Sequence, residues 1–293
     1  MRLGEAGEAE LVRRLLPLLP SHGLVIGPGE DDAAVWEEPD GSFTVATCDA
    51  SAEGVHFDLG WQLPEDVGWR ALALALGDLA AKGARPTQAL VSLSAPREWE
   101  LDTALGIYRG IAELAAKVGL SLAGGDTTEA RGGAVLAIAA LGRSATRPLP
   151  RSAAQPGWSV AVTGPLGAAA VALAARTSLR LEPRLAEGQR LNRLGLVCGD
   201  ISDGLWAELL KFEAMAGCGC ELDVGLLPLA AGASFEQALT SGEEAELVCS
   251  GPPELVKRAG LAPIGVLNSG GVSWRDPAGK VHATAAGGFR HFG

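Results

Sequence analysis

The sequence predicts an α/β or α+β protein built from two domains of similar size. The chain has 293 residues, of which 47% are hydrophobic and 20% charged, and this composition is typical of globular proteins. Its length exceeds what one small core accommodates and suits two domains of roughly 100–200 residues each. Helical and strand-like patterns alternate through both halves of the chain, as they do in these two fold classes.

The first half of the chain predicts three helices and four strands. Apolar residues at helical spacing indicate helices at 8–19, 64–81 and 98–118. Apolar runs, some of them alternating, indicate strands at 43–48, 87–93, 120–123 and 134–141. We therefore expect Asp49 to follow the end of the first strand and Gly124-Gly125-Asp126 to follow the third.

The best linker is the segment 143–157, because it contains three prolines and shows no periodicity. We place the domain boundary there, which gives domains at 1–145 and 146–293. The second half then predicts helices after Gly167 and at 205–216. Its predicted strands cover 158–163, 196–201, 221–224, 245–249, 264–267 and 271–274.

The net charge narrows the choice of partners. At −11 the chain is acidic, whereas nucleic-acid and anionic-membrane surfaces attract basic proteins, so we expect neither as a partner. The most apolar stretch, 159–175, is interrupted by Gly164-Pro165 and cannot form a continuous spanning helix of about 20 residues. Carboxylates do hold divalent cations, which in turn hold anionic ligands.

The cysteines and the first residues indicate a cytoplasmic protein. The chain has five cysteines, an odd number without a C-x-x-C pair, so a disulfide framework or a zinc site is weakly supported. A reduced, cytoplasmic compartment fits this usage. The first residues carry acidic side chains and no apolar run, so we expect no signal peptide.

The most informative pattern is the placement of the aspartates. Asp78 lies within the apolar helical segment 64–81, where a carboxylate is costly unless a partner neutralises it. The others fall in loops or at predicted strand ends, where functional groups are usually presented; these are Asp31, Asp32, Asp49, Asp126, Asp200 and Asp203. Any one of them is more simply a helix cap or a turn residue, but so many acidic sites together predict a magnesium centre.

Known phosphate-binding motifs are absent from the sequence. There is no G-x-x-x-x-G-K-[ST] loop and no protein-kinase catalytic pattern. If phosphates bind, metal ions and glycine amides such as those of Gly124-Gly125 must hold them. His56, Arg151 and Ser202 could assist, although singly they are more simply a core histidine, a solvated charge and a helix cap.

Taken in order, these segments resemble the thiamine-monophosphate kinase family, within the superfamily of aminoimidazole-ribonucleotide synthetase and selenophosphate synthetase. The match runs over nearly the whole chain. The resembling segments are 29–35, 47–49, 53–57, 77–84, 124–128, 162–167, 200–205, 241–244 and 288–292.

The resemblance implies transfer of the γ-phosphoryl group of ATP to thiamine monophosphate with several Mg²⁺ ions. It implies an α+β fold with an N-terminal mixed-sheet domain, which binds ATP and Mg²⁺ and forms a homodimer. A C-terminal α/β sandwich domain would complete the active site. Transfer would be direct and in-line, and no general base is required because the acceptor phosphate is already ionised.

The resemblance also assigns roles by position, with Asp49 and Asp78 as the expected catalytic residues. The metal-site positions are Asp31, Asp32, Thr47, Cys48, Asp49, Asp78, Asp126, Asp200 and Asp203. The positions that match ATP contacts are Tyr108, Gly125, Asp126, Arg151 and Ser202. The positions that match contacts to thiamine phosphate are His56, Glu243 and Phe289.

Four positions depart from the family pattern. Glu30 looks inserted, which leaves open whether Asp31 or Asp32 is the ligand. Cys48 stands where Thr is usual, and Ala245 replaces a usual Tyr and leaves acceptor specificity open. Lys82 replaces a usual apolar residue.

Related activities are only partly excluded. A selenophosphate synthetase would be expected to carry a reactive cysteine or selenocysteine in an N-terminal glycine-rich loop, and no cysteine precedes Cys48. An aminoimidazole-ribonucleotide synthetase-like enzyme and a non-catalytic nucleotide-binding paralogue stay open as alternatives.

Overall fold

The first half of the chain forms a five-stranded mixed sheet in the computed structural model, which describes residues 1–283 and 291. The strands are β1 (Ala34–Glu37), β2 (Phe43–Ala52), β3 (Arg85–Pro96), β4 (Ser121–Ala130) and β5 (Val135–Ser144). Their order is β1-β2-β5-β3-β4, and only β3 and β4 pair in parallel within this sheet. That parallel pair needs a crossover, which α3 (Leu101–Val118) provides.

One face of this sheet carries the core and the other is open. Along β5, buried residues alternate with partly exposed ones, as expected for a half-buried strand. The buried set packs against α2 (Pro64–Ala81) and α3. On the open face, Leu90 is 45% exposed and Val135 38% exposed. The edge strand β4 is exposed along almost its whole length.

Helix α2 is the central element of the molecule. It contacts α3, β2 and β5 on the side of the first sheet, and α5 (Leu185–Arg193) and β7 (Val197–Asp200) on the other side. Glycine permits the close approaches. A Cβ on Gly68 would lie 1.9 Å from the carbonyl oxygen of Ile107, and one on Gly188 would lie 1.9 Å from that of Ala80. The buried apolar surface of α2 therefore ties both halves of the chain together.

The second half forms a seven-stranded mixed sheet with helices on both faces. Besides β7, its strands are β6 (Ser159–Val162), β8 (Gly219–Asp223), β9 (Leu247–Gly251), β10 (Pro263–Asn268), β11 (Ser273–Arg275) and β12 (Val281–His282). Their order is β12-β11-β8-β10-β6-β9-β7. The remaining helices are α4 (Ala168–Ala174), α6 (Leu205–Ala216), α7 (Phe235–Thr240) and α8 (Pro253–Arg258).

Neighbouring residues of β7 belong to two different apolar clusters, which shows that both faces of this sheet are covered. Val197 packs with Leu209 and Phe212 of α6. Cys198 packs with Leu191 of α5 and with Val256. The predicted α+β class, with a mixed-sheet half followed by an α/β sandwich half, is confirmed. The boundary between 1–145 and 146–293 stays a prediction.

Two predicted strand ends are wrong. Strand β2 continues through Asp49, which pairs with Ile138 on β5. Strand β4 continues through Gly125, which pairs with Val91 on β3. In both cases pairing with a neighbouring strand overrides weak local strand propensity.

The first helix also starts earlier than predicted. Helix α1 (Leu3–Leu15) is followed by a short 3₁₀ turn at Leu16–Leu18, and none of its residues is buried. Within residues 1–283 and 291, no helix combines the length and the hydropathy needed to cross a membrane.

Candidate active site

A cavity of about 620 Å³ is lined by residues from both halves of the chain, which is within the usual range for a small-molecule site. One group of lining residues is acidic: Asp32, Asp49, Asp78, Asp200 and Asp203. A second group is mostly apolar and includes Val55, Leu74, Ala169, Ala170 and Leu173. The cavity therefore offers both a place for cations and a wall for an organic ligand.

Three elements and two loops bring the carboxylates together. Asp32 precedes β1, Asp49 lies in β2, Asp78 lies near the end of α2, and Asp200 ends β7 just before Asp203. Ligand oxygens of Asp32, Asp78 and Asp200 all lie within 4.8 Å of one another. Three carboxylates from distant parts of the sequence thus form one cluster.

The pKa values of these carboxyl groups show how crowded the cluster is. Burial, together with the charge of Asp200, raises the pKa of Asp49 to about 7. Burial and the charges of Asp49 and Asp32 raise the pKa of Asp78 to about 7 as well. Burial raises the pKa of Asp200 well above its ordinary value. The cluster therefore gains from any added positive charge, whether a proton or a cation.

The donor set fits Mg²⁺, which prefers oxygen ligands and usually takes one or two carboxylates together with substrate phosphates. Thr47 supports the cluster, because its hydroxyl donates a hydrogen bond of 2.5 Å to Asp78 Oδ2. The buried Oδ1 atom of Asp200 accepts no hydrogen bond from the described residues. Its nearest cation is Arg151, whose Nη2 lies 3.7 Å away, so this buried oxygen without a hydrogen bond is available to a metal ion.

Beneath the cluster lies a fully buried ion-pair network around Asp31. Its Oδ1 contacts Arg151 Nη1 at 2.5 Å, and its Oδ2 pairs with Lys82 Nζ and accepts a 2.8 Å bond from the backbone N–H of Arg151. Arg151 also contacts Glu208 at 2.7 Å and Asp32 at 2.9 Å. Both oxygens of Asp31 are therefore occupied within the protein, and this favours Asp32 as the metal ligand. Lys82, whose role the sequence left unexplained, is the partner of Asp31.

Comparison with known proteins identifies the family. Residues 30–144 match the family model described as AIR synthase related protein, N-terminal domain. Over 257 residues the chain is 34% identical to the thiamine-monophosphate kinase of Rhodopirellula baltica, a match that covers 80% of this chain and 78% of that protein. The chain belongs to the thiamine-monophosphate kinase family. The family member from Halobacterium salinarum is 33% identical over 280 residues, or 90% of this chain and 91% of that one.

Solved structures share the whole fold. The structure of AaThiL complexed with AMPPCP and TMP has a TM-score of 0.86 and 27% identity, and the match covers 99% of both chains. The structure of tt0281 from Thermus thermophilus has a TM-score of 0.77 and 30% identity, with 93% of this chain and 97% of that chain covered. HypE in a HypE–HypF complex, at 18% identity and a TM-score of 0.76, shares the fold.

Several positions that the family pattern assigns to ATP lie outside the cavity. Tyr108 is half-buried on α3, and Gly125 and Asp126 lie on the exposed edge strand β4. The sheet register places Asp49, Ile138, Val91 and Gly125 in one row across four strands. At about 4.8 Å per strand, β2 and β4 are roughly 14 Å apart. Among the described residues, therefore, Tyr108, Gly125 and Asp126 do not join the carboxylate cluster.

Other assigned positions are divided between the cavity and its surroundings. Cys48 and Ser202 line the cavity together with Thr47. Arg151 is completely buried in the network below it and does not line it. Phe289 lies outside the described residues.

Two positions that the family pattern assigns to the acceptor do line the cavity. The ring of His56 accepts a 3.0 Å hydrogen bond at Nδ1 from the backbone N–H of Ala52, so a neutral ring carries its proton on Nε2. Burial and the neighbouring charges of His291 and Arg70 lower the pKa of His56. Both effects favour the neutral form of this cavity-lining ring.

Glu243 is held in an unusual conformation at the cavity wall. Its φ is +57°, in the left-handed region, and its carboxylate forms an ion pair with Arg70 of α2. Its buried Oε1 accepts no hydrogen bond from the described part of the chain. A strained residue with a free acceptor at a cavity is typical of a ligand-binding position.

Sequence reasoning missed Arg70, Glu208 and Lys211. Burial lowers the pKa of Arg70 to about 10, and Lys211 contacts Asp32 across 179 positions of sequence. Each is a charged residue on a helix, and from the sequence alone such a residue is expected to face solvent. Only the long-range fold shows that Arg70 and Lys211 line the cavity and that Glu208 supports it from below.

Proposed function

We propose that this chain transfers the γ-phosphoryl group of ATP to thiamine monophosphate and so forms thiamine diphosphate. The observation that carries the proposal is the convergence of Asp32, Asp78 and Asp200 within 4.8 Å at the wall of the cavity. Family membership supports it, because the relatives are thiamine-monophosphate kinases. So does the structural match to AaThiL, which was solved with AMPPCP and TMP.

The charge balance of the site calls for divalent cations. Three cations, Lys82, Arg151 and Lys211, lie in the cluster and its buried network. They face seven carboxylates: Asp31, Asp32, Asp49, Asp78, Asp200, Asp203 and Glu208. The excess of four negative charges, when all groups are ionised, equals the charge of two Mg²⁺ ions.

We propose that Asp32, Asp49, Asp78, Asp200 and Asp203 hold the Mg²⁺ ions. When bound, Mg²⁺ would lessen the repulsion between two polyanions and stabilise the charge that develops during in-line transfer. Thr47 and Arg151 keep the carboxylates in place, through the hydroxyl bond to Asp78 and the ion pair to Asp32. No residue needs to act as a general base, because the acceptor oxygen belongs to a phosphate that is already ionised near neutral pH.

The apolar wall would hold the organic part of the acceptor. Leu74 of α2 and Ala169 and Leu173 of α4 line the same cavity as Glu243 and His56. The free Oε1 of Glu243 suits an N–H donor on the acceptor. This arrangement would orient thiamine monophosphate with its phosphate toward the carboxylates.

We also propose that the chain acts as a homodimer and that Asp126 reaches the site of the partner copy. Within one protomer β4 lies roughly 14 Å from β2, so Gly125 and Asp126 do not reach the cluster of their own chain. The open sheet face and the exposed edge strand β4 offer a surface for a second copy. In this arrangement residues 1–145 form the dimerisation domain and residues 146–293 complete the site.

A cytoplasmic location accords with this proposal. All five cysteines are free thiols, as expected in a reducing compartment. ATP and Mg²⁺ are both supplied there.

The proposal is tested by a product assay with purified protein, ATP and Mg²⁺. We expect thiamine diphosphate and ADP to form in equal amounts with thiamine monophosphate, and no product with thiamine. ATP binding in calorimetry without any turnover would instead indicate a non-catalytic paralogue. Turnover only with the substrate of aminoimidazole-ribonucleotide synthetases would indicate that related activity.

The dimer proposal has its own test, which mixes two inactive variants. In a heterodimer of Asp78→Asn and Asp126→Asn, one site would contain both an intact Asp78 and an intact Asp126 from the partner. Random mixing would then restore roughly a quarter of wild-type activity, because half of the dimers are heterodimers. If Asp126 served its own protomer, every site would contain one defect and no activity would return.

A further inference from the structure

Lys211 is a cation that enters the acidic part of the cavity and has no assigned role. It lies on α6, and its Nζ is 3.0 Å from Asp32 Oδ2, 2.7 Å from Glu208 Oε1 and 3.7 Å from Asp203 Oδ2. Its side chain is 25% exposed and lines the cavity. The ammonium group therefore contacts two of the carboxylates that would hold Mg²⁺, Asp32 and Asp203.

These contacts differ from those of an ordinary surface ion pair. An exposed lysine that pairs with a carboxylate three residues away contributes little and points into water. Lys211 instead pairs with Glu208, which is completely buried, and with Asp32, which lies in another half of the chain. Withdrawing an ammonium group from water is unfavourable unless several acceptors surround it, and here three carboxylates do so.

The ammonium group also limits what Asp32 can offer to a metal ion. Asp32 Oδ2 contacts both Lys211 Nζ and Arg151 Nη2, the latter at 2.9 Å. Only Oδ1 is then left for a cation, unless one of these ion pairs breaks. A positive charge this close to a metal ligand also opposes the binding of a second cation by simple Coulomb repulsion.

We propose that Lys211 is a fixed monovalent cation of the metal centre, which restricts Asp32 to one metal-binding oxygen and weakens the binding of divalent ions. This inference rests on the proposed Mg²⁺-dependent function. As a consequence, the protein carboxylates alone bind Mg²⁺ only weakly. Ion binding then depends on the phosphates of the two substrates.

The experiment is a calorimetric titration of the purified protein with Mg²⁺ alone, without nucleotide or acceptor. We expect Lys211→Met to bind Mg²⁺ more tightly than wild type, by on the order of tenfold. Lys211→Arg retains the charge and should stay close to wild type. Lys257→Met removes an exposed lysine on α8, far from these carboxylates in sequence, and serves as the matched control.

The possible results separate the two proposals. If wild type binds Mg²⁺ and Lys211→Met binds it with equal or lower affinity, the proposed role of Lys211 is wrong. The proposed function of the chain then still stands. If neither wild type nor Lys211→Met binds Mg²⁺, the metal centre and this inference are overturned together. If Lys211→Met does not fold, Lys211→Gln gives the same readout, because it also removes the charge while keeping a polar side chain.

Discussion

Replacing Asp78 by asparagine should make the protein more stable while abolishing its activity. Asp78 is 6% exposed, and burial together with the charges of Asp49 and Asp32 raises its pKa from 3.8 to about 7. Asparagine has nearly the same shape, and its side-chain oxygen can still accept the hydrogen bond from Thr47. The substitution thus removes a charge and keeps the packing.

The magnitude follows from the pKa of Asp78. A carboxyl group whose pKa is raised in the folded state binds its proton more tightly there than in the unfolded chain. The free energy of unfolding therefore falls as the pH rises from about 4 to about 7. At about 1.4 kcal/mol per pKa unit, the full penalty above pH 7 is at most about 4 kcal/mol. Neighbouring carboxylates share this penalty, so we expect a gain of about 1–4 kcal/mol in Asp78→Asn at pH 8.

The assay is thermal unfolding of wild type and variant at several pH values without added Mg²⁺. For a chain of this length, a gain of 1 kcal/mol raises Tm by roughly 2–4 °C. The difference in Tm should be near zero at pH 4 and should grow up to pH 7. Asp102→Asn, in the first turn of α3 and outside the cavity, is the control and should lower Tm slightly at pH 8, because it removes a negative charge near a helix N-terminus.

Two results would refute this reasoning. One is a Tm of Asp78→Asn at or below that of wild type at pH 8, which would mean that Asp78 is not under electrostatic strain. The other is near-normal kinase activity of the variant with Mg²⁺ present, which would remove Asp78 from the metal centre.

Three further predictions concern other parts of the site. Burial and the charge of Asp200 raise the pKa of Asp49 to about 7, and protons therefore compete with Mg²⁺ below that pH. Added Mg²⁺ should raise Tm more at pH 8 than at pH 6. Equal increases in Tm at the two pH values would contradict this prediction. Lys82→Met should lower the free energy of unfolding in urea by about 3–5 kcal/mol, because Oδ2 of Asp31 loses its buried cation, and no loss would show that the contacts of Asp31 with Arg151 suffice. Glu243→Gln should raise the KM for thiamine monophosphate by roughly tenfold and leave that for ATP nearly unchanged, whereas an equal rise in both would place Glu243 outside the acceptor site.

The sequence predicted the parts of the site that depend on local patterns. Helix α2 has the predicted bounds, and Asp78 stood out because a carboxylate within an apolar helix needs a partner. The glycines and Asp126 of β4 were expected in a loop, since these residues are poor strand formers. Their pairing with β3 depends on the rest of the sheet and cannot be read locally.

The basic residues of the site were the hardest to predict. A single lysine on a helix gives no periodic signal, and the partner of Lys211 in the cluster lies 179 positions earlier in the chain. Lys82 was noticed as a departure from the family, but only the fold brings Asp31 to its ammonium group. Ion pairs between residues that lie far apart in the sequence can be identified only from the assembled fold.

The central position of α2 has a consequence for how ligands enter. Both sheets pack against this one helix, and glycine-sized gaps fix it to α3 and α5. A motion that separated the two sheets would therefore have to break the apolar contacts that each makes with α2. Glu8 of α1 and Leu173 of α4 also border the cavity, and those two helices bury no side chain completely. Nucleotide and product should therefore enter and leave on the side of α1 and α4, through small shifts of these two helices relative to α2.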